Sequence, residues 1–214
     1  IKMVGVVTVP SAFALMLFGP LMTEVLYMGI PLHDSRYIGY VLSALGLGLI
    51  PFSINLILVR GFNAFEDTKT QVISIFVINV ISVLLSYIFL ATFDSNLVTV
   101  GLGIAFSISY IAGLWVTLHL IKKHVGTFKV REFARQHLVL AAASLIAMLP
   151  VAALVYYLGW VDDQTSLVIR ALRLTFTLGT AGVGYLAVSH FFNVTEIHTL
   201  RAYVKKLLLR GRGK

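Results

Sequence analysis

The chain is 214 residues long, 58% hydrophobic and only 12% charged, with mean hydropathy +0.92 and a formal net charge of +8. A soluble domain is closer to half apolar and a quarter charged, so these values exclude an ordinary soluble protein; the absence of cysteine excludes disulfide frameworks, zinc–thiolate sites and cysteine nucleophiles. The basic residues flank apolar blocks and build no aromatic–basic soluble module, so the partner they imply is an anionic membrane surface, and no nucleic acid is expected.

Six blocks are long enough to cross ~30 Å of hydrocarbon at ~20 residues each. The first runs from Val4 to Tyr27 and contains Pro10, Pro20 and, one turn from its end, Glu24. Its first residue is not methionine and no polar flank or signal-peptide pattern precedes it, so the chain is read as part of a longer one. Gly29-Ile30-Pro31-Leu32-His33-Asp34 carries turn chemistry. The second block, Tyr37 to Val59, contains Pro51 and Asn55 and ends at Arg60. The third, Val72 to Phe93, holds Asn79, and Asp94-Ser95-Asn96 is a turn. The fourth is Leu97 to Ile121, followed by a loop with Lys122, Lys123, Lys129, Arg131 and Arg135. The fifth, Leu138 to Leu158, contains Pro150, and Asp162-Asp163-Gln164 forms the next turn. The sixth, Leu167 to Phe192, opens with Arg170 and Arg173 and carries Thr177/Ala181 and Thr180/Gly184, small residues four apart that permit close helix packing.

Backbone groups in lipid must satisfy one another within a segment, and these runs are apolar on all faces, so the fold class is all-α integral membrane with about six transmembrane helices. The internal prolines favour kinks, which suit a protein that rocks between two openings. After Phe192, Ile197, Leu200, Val204, Leu207 and Leu208 recur at helical spacing, with Arg201, Lys205 and Lys206 off that stripe, and Asn193 with Glu196 makes a capping pair. The tail, 194–214, reads as a basic amphipathic helix on the inner leaflet, the alternative being a frayed basic tail that only fixes topology.

Fourteen of the seventeen Lys and Arg residues fall on the side that holds both chain ends; Arg36, Arg170 and Arg173 fall on the other. The positive-inside rule places the first side in the cytoplasm.

Catalytic motifs are absent: no phosphate-cradling loop, no H-E-x-x-H, no G-x-S-x-G and no acidic pair inside a span. The six histidines do not pair at metal-ligand spacing on one helix. No catalytic residue, metal or cofactor is therefore expected, and the protein is read as no enzyme. What remains is a sparse set of polar groups at membrane depth, where they are costly and face a cavity or another helix. Arg60, Asn55, Asn79 and Glu24 are the candidate substrate-binding residues. Arg60 is either a cavity-facing cation for a phosphate-bearing substrate or a snorkelling anchor. Asn55 and Asn79 suit interhelical hydrogen bonds as well as a cavity, and Glu24 can also reach the interface. Arg170 and Arg173 share a helix face, where they can bind lipid phosphate or pair with Asp162 and Asp163.

Arg60-Gly61-Phe62-Asn63-Ala64-Phe65-Glu66-Asp67-Thr68-Lys69-Thr70 resembles the R-x-F-Y-A-x-x-D-T-x-T-P signature of the MurJ/MviN family, the lipid II flippases of the multidrug/oligosaccharidyl-lipid/polysaccharide exporter superfamily. Pro10-Ser11-Ala12, Gly19-Pro20-Leu21, Tyr40 with Gly46-Leu47, and Gly101-Leu102-Gly103-Ile104-Ala105-Phe106-Ser107 are similar to other stretches of that family, so the likeness is readable from about residue 4 to 125. Asn63 stands where the family has tyrosine, Gln71 where it has proline and Phe106 where threonine is common, which weakens any ion site carried over there.

The resemblance implies helices nine to fourteen of a fourteen-helix exporter. On that reading 1–125 is the last four helices of the C-terminal transport bundle, 126–193 adds two helices that form a groove for a lipid tail, and 194–214 is the cytoplasmic tail. It implies flipping of lipid II, or a similar polyprenyl-pyrophosphate glycolipid, from the inner to the outer leaflet of the bacterial plasma membrane by alternating access. Only Arg60 carries over as a cavity arginine. The family's chains in actinobacteria continue into a cytoplasmic regulatory domain, and Arg210-Gly211-Arg212-Gly213-Lys214 stands where such a linker would begin, so a regulatory domain or protein joins anionic inner-leaflet lipids among the partners. Another exporter of the superfamily, for a lipid-linked oligosaccharide or a drug, and a non-transporting anchor that recruits cell-wall synthesis proteins remain alternatives.

Overall fold

The computed structural model describes residues 2–94, 97–125, 130–161 and 165–192. The elements are α1 (Lys2–Leu26), α2 (Leu32–Ala64), α3 (Thr68–Thr92), α4 (Val98–Val125), α5 (Val130–Tyr157) and α6 (Leu167–Phe191), and no strand occurs among the described residues. All six helices are long and apolar enough to cross a membrane, and the chain is a multi-pass membrane protein. The expected tail helix, the Asn193–Glu196 cap and the Asp162–Gln164 turn lie outside the described residues.

Helix identity agrees with the hydropathy blocks, but α1, α2, α3 and α5 start earlier, α2 and α5 by the most. α2 begins at Leu32, so His33 and Asp34, expected in a turn, belong to its first turn. Pro31 at the N-cap presets the backbone, and Asp34 complements the positive end of the helix. α5 begins at Val130 rather than Leu138, because its first two turns are polar (Arg131, Glu132, Arg135, Gln136) and hydropathy does not register them. The helices run through Pro10, Pro20, Pro51 and Pro150.

Small residues set the packing of the middle layer. A Cβ added at Gly39 would sit 2.4 Å from the Pro20 Cα, and one at Gly48 would sit 2.8 Å from the Ser107 Cα. Thus α1–α2 and α2–α4 approach backbone to backbone, as small residues allow within a membrane. The Ser107 hydroxyl donates to the Ala44 carbonyl at 2.7 Å, and the Ser43 hydroxyl donates to Leu15 at 3.2 Å. Polar hydrogens at these crossings are thereby satisfied inside the bundle rather than exposed to lipid.

α4 packs against both α2 and α3, whereas α2 and α3 touch each other little. α5 and α6 pack on the opposite side of α1. The core there joins Val9 and Phe18 to Leu140, Ala143 and Met148 of α5 and Ala181 and Tyr185 of α6. The Tyr185 hydroxyl donates to the Val6 carbonyl at 2.9 Å, tying α6 to α1. Of the small pairs on α6, Thr177 and Ala181 are buried and Gly184 meets Ala147, while Thr180 is exposed. Only 11% of the most apolar window of α3 is buried within the chain, so that helix needs lipid or further protein around it.

Candidate substrate face

The stretch Arg60–Thr70 builds the turn between α2 and α3. Phe62 is fully buried among Ile54, Leu58, Ile121 and Phe133, which fixes the end of α2 against α4 and α5. The Asp67 amide then donates to the Phe62 carbonyl at 3.1 Å, and the Asp67 carboxylate caps α3 by accepting from the Thr70 amide at 3.0 Å. Between them Glu66 takes a left-handed conformation, φ 58°. With Phe62 held inward, Arg60 is exposed and makes no hydrogen bond or ion pair to another described residue.

Asn55 faces the other way, into the α2–α4 contact, and is 4% exposed. Its side-chain oxygen accepts from the Thr117 hydroxyl at 2.8 Å, and Thr117 also bonds the Ser74 hydroxyl. One residue each from α2, α4 and α3 thus forms a buried polar chain, which holds the three helices together near the turn. Thr117 and Ser74 were not singled out from the sequence; as lone hydroxyls in apolar spans they carry no signal until their partners are known.

Helix geometry gives the direction of the rest. Residues advance about 100° each. α2 faces α4 through Ala44, Gly48 and Asn55; α3 faces it through Ser74 and Ile78, the latter against Gly113. α2 and α4 run parallel, and α3 runs antiparallel to them. With right-handed helices, residues about a quarter turn beyond these contact lines project to one common side. On α2 these are Phe52, Leu56 and Asn63, with Arg60 at the edge nearer α1. On α3 they are Asn79, Ser82 and Ser86. From α4, Phe106 and Tyr110 project into the cleft between α2 and α3. The ring contacts agree: Phe52 meets Tyr110 edge-on at 5.1 Å and Phe106 at 6.1 Å, and Phe106 and Tyr110 are 4.6 Å apart.

The structure therefore brings Arg60 and Asn79 to one face, places Asn55 beneath it, and leaves Glu24 elsewhere. Glu24 is 1% exposed near the end of α1 remote from Arg60, where it accepts a 3.0 Å hydrogen bond from the Arg36 guanidinium. Phe52, Tyr110 and the serines of α3 escaped the sequence reading, and Phe106 entered it only as a departure from the family's threonine. Their signal was the spacing: Asn79, Ser82 and Ser86 at i, i+3 and i+7 put polar groups along one line of an otherwise apolar helix.

Arg173 lies over the Trp160 ring, 5.4 Å from its centroid, a cation–π contact; the acidic residues weighed as its partners lie outside the described residues. An open apolar groove follows α1 and α6, lined by Pro10, Ser11, Ala14, Leu178, Gly182 and Leu186. Among the described residues no cluster of His, Cys, Asp and Glu could hold a metal ion.

The family model described as "Lipid II flippase MurJ" matches residues 1–175. A curated relative from Vibrio cholerae, described as "Probable lipid II flippase MurJ", is 30% identical over 194 residues, 88% of this chain and 35% of the relative. The chain thus spans about a third of that relative's length. No solved structure matches the chain.

Proposed function

This chain belongs to the MurJ lipid II flippase family, and from that premise we propose that it forms the C-terminal part of a transporter that moves lipid II from the inner to the outer leaflet of the bacterial plasma membrane. On this reading the substrate head crosses through a protected cavity while its polyprenyl tail stays in lipid, as the protein alternates between inward and outward openings. No covalent bond is made or broken, so the protein acts as a transporter and not as an enzyme. α1–α4 belong to a transport bundle, α5 and α6 are additional helices, and the α1–α6 groove suits an acyl chain. The basic ends of α2, α4 and α5 and the 194–214 tail lie on the cytoplasmic side, against anionic lipid.

The observation that carries this reading is Arg60. It is the arginine of the signature, and a buried phenylalanine and a capped turn hold it exposed on the face that also presents Asn79. An exposed guanidinium at the rim of a low-dielectric cleft suits a diphosphate, which it can engage through two parallel N–H bonds. The test is depletion of the full-length protein in its host, followed by measurement of which leaflet holds lipid II. Accumulation in the inner leaflet supports lipid II as cargo. An unchanged distribution, with a different lipid-linked sugar accumulating, would assign the protein to another exporter class.

A further inference from the structure

We propose that the cleft between α2 and α3 holds a sugar subsite, with Phe106 and Tyr110 as its stacking platform and Asn79, Ser82 and Ser86 as its hydrogen-bonding wall. This rests on the lipid-linked glycoside reading above and names the part of that substrate the chain recognises.

The two walls lie at one depth. In the antiparallel α3–α4 pair Ser74 meets Thr117 and Ile78 meets Gly113. Continuing that register sets Ser82 beside residue 109 and Ser86 beside residue 105. The polar line of α3 therefore stands level with the Phe106 and Tyr110 rings. Both rings are only half-buried, as is Phe52 against them, so part of the platform remains accessible.

The chemistry suits a sugar ring. A pyranose has one face of C–H bonds, apolar and slightly electropositive, and an edge of hydroxyls. The face matches the negative π-surface of an aromatic ring. The edge needs partners that both donate and accept, because a sugar hydroxyl that gives up water without a replacement partner is costly. Asn79 offers both an amide N–H2 and a carbonyl oxygen. The Ser86 hydroxyl donates to the Ser82 carbonyl at 2.7 Å and keeps its lone pairs to accept from a sugar hydroxyl. A bare alkyl chain would leave the polar line of α3 unpaired.

The spacing also fits. Phe52, which touches both platform rings, lies eight residues before Arg60 on the same helix, a rise of about 12 Å. A diphosphate at Arg60 with one or two sugars extending from it covers that distance.

The experiment uses the full-length protein in micelles and two probes: a polyprenyl diphosphate, and the same lipid bearing an N-acetylhexosamine disaccharide. The wild-type protein is expected to bind the glycosylated probe more tightly. Asn79→Leu, at an exposed position that leaves packing intact, should cut that affinity about three- to tenfold, the loss of one or two hydrogen bonds, and leave the bare diphosphate unchanged. Tyr110→Leu should do the same. Retention of the wild-type preference by Asn79→Leu would overturn the subsite, as would a wild-type protein that binds both probes equally. A wild-type protein that binds neither would instead overturn the lipid-linked glycoside reading.

Discussion

The Arg36 guanidinium donates to the Glu24 carboxylate at 3.0 Å, across the turn from α1 to α2, and the carboxylate side chain is wholly buried. Twelve positions apart in sequence, the two residues pin the end of the bundle remote from Arg60 where Gly39 already presses its backbone on Pro20. A pair this dry is costly to break from one side, because the remaining charge loses its counterpart. Arg36 keeps 22% of its side chain accessible, so part of that cost is relieved by solvent.

Glu24→Ala should accordingly destabilise the protein by about 1–3 kcal/mol, below the range for a fully buried pair. Thermal unfolding in detergent reads this. The double variant Glu24→Leu/Arg36→Leu should recover most of the loss, while transport per folded molecule stays at the wild-type level. A transport defect in the recovered double variant would return Glu24 to the substrate path.

The Asn55–Thr117–Ser74 chain yields a coupling. Asn55→Leu and Thr117→Val should each cost about 0.6–1.7 kcal/mol, the range of measured interhelical hydrogen bonds. Because they remove the same bond, the double variant should cost less than the sum. Full additivity would show that the bond does not hold α2 to α4.

Glycine substitutions should divide sharply by position. Gly39→Ala and Gly48→Ala push a methyl into facing backbone, which cannot yield as a flexible side chain does, and should cost about 1–3 kcal/mol and lower the membrane level. Gly179→Ala on α6, where an added Cβ meets nothing within 4 Å, should leave both stability and level unchanged.

At the signature turn, Asp67→Ala removes the cap of α3 and should cost about 1 kcal/mol. Glu66→Gly removes the steric cost of the left-handed backbone and should be neutral or slightly stabilising. Both are read by unfolding in detergent.

The spans were legible because twenty apolar residues in a row have few other uses, and each of the six blocks is a helix. The helix starts were less so. Leu32–Asp34 and Val130–Gln136 are helical for reasons of capping and charge that hydropathy does not weigh. Arg60 was legible through its motif, yet its two readings, cavity cation and anchor, differ only in the direction of the side chain. Its exposure follows from Phe62, whose burial depends on Ile121 and Phe133, 59 and more residues away, and an exposed guanidinium serves both readings. Glu24 was named among the substrate-binding candidates, with the interface as its other reading, because its partner Arg36 lies on another helix and the pairing is not visible in the sequence. Phe106 drew notice only as a departure from the family's threonine; its place beside Tyr110 and Phe52 depends on the α2–α4 contact.

The most direct measurement is outward movement of lipid II by the full-length Arg60→Ala variant, normalised to protein in the membrane. Loss of a charge-assisted contact to the diphosphate predicts transport about tenfold or more below wild type at an unchanged protein level. Wild-type transport at a wild-type level would contradict the assignment and leave Arg60 as an interfacial anchor.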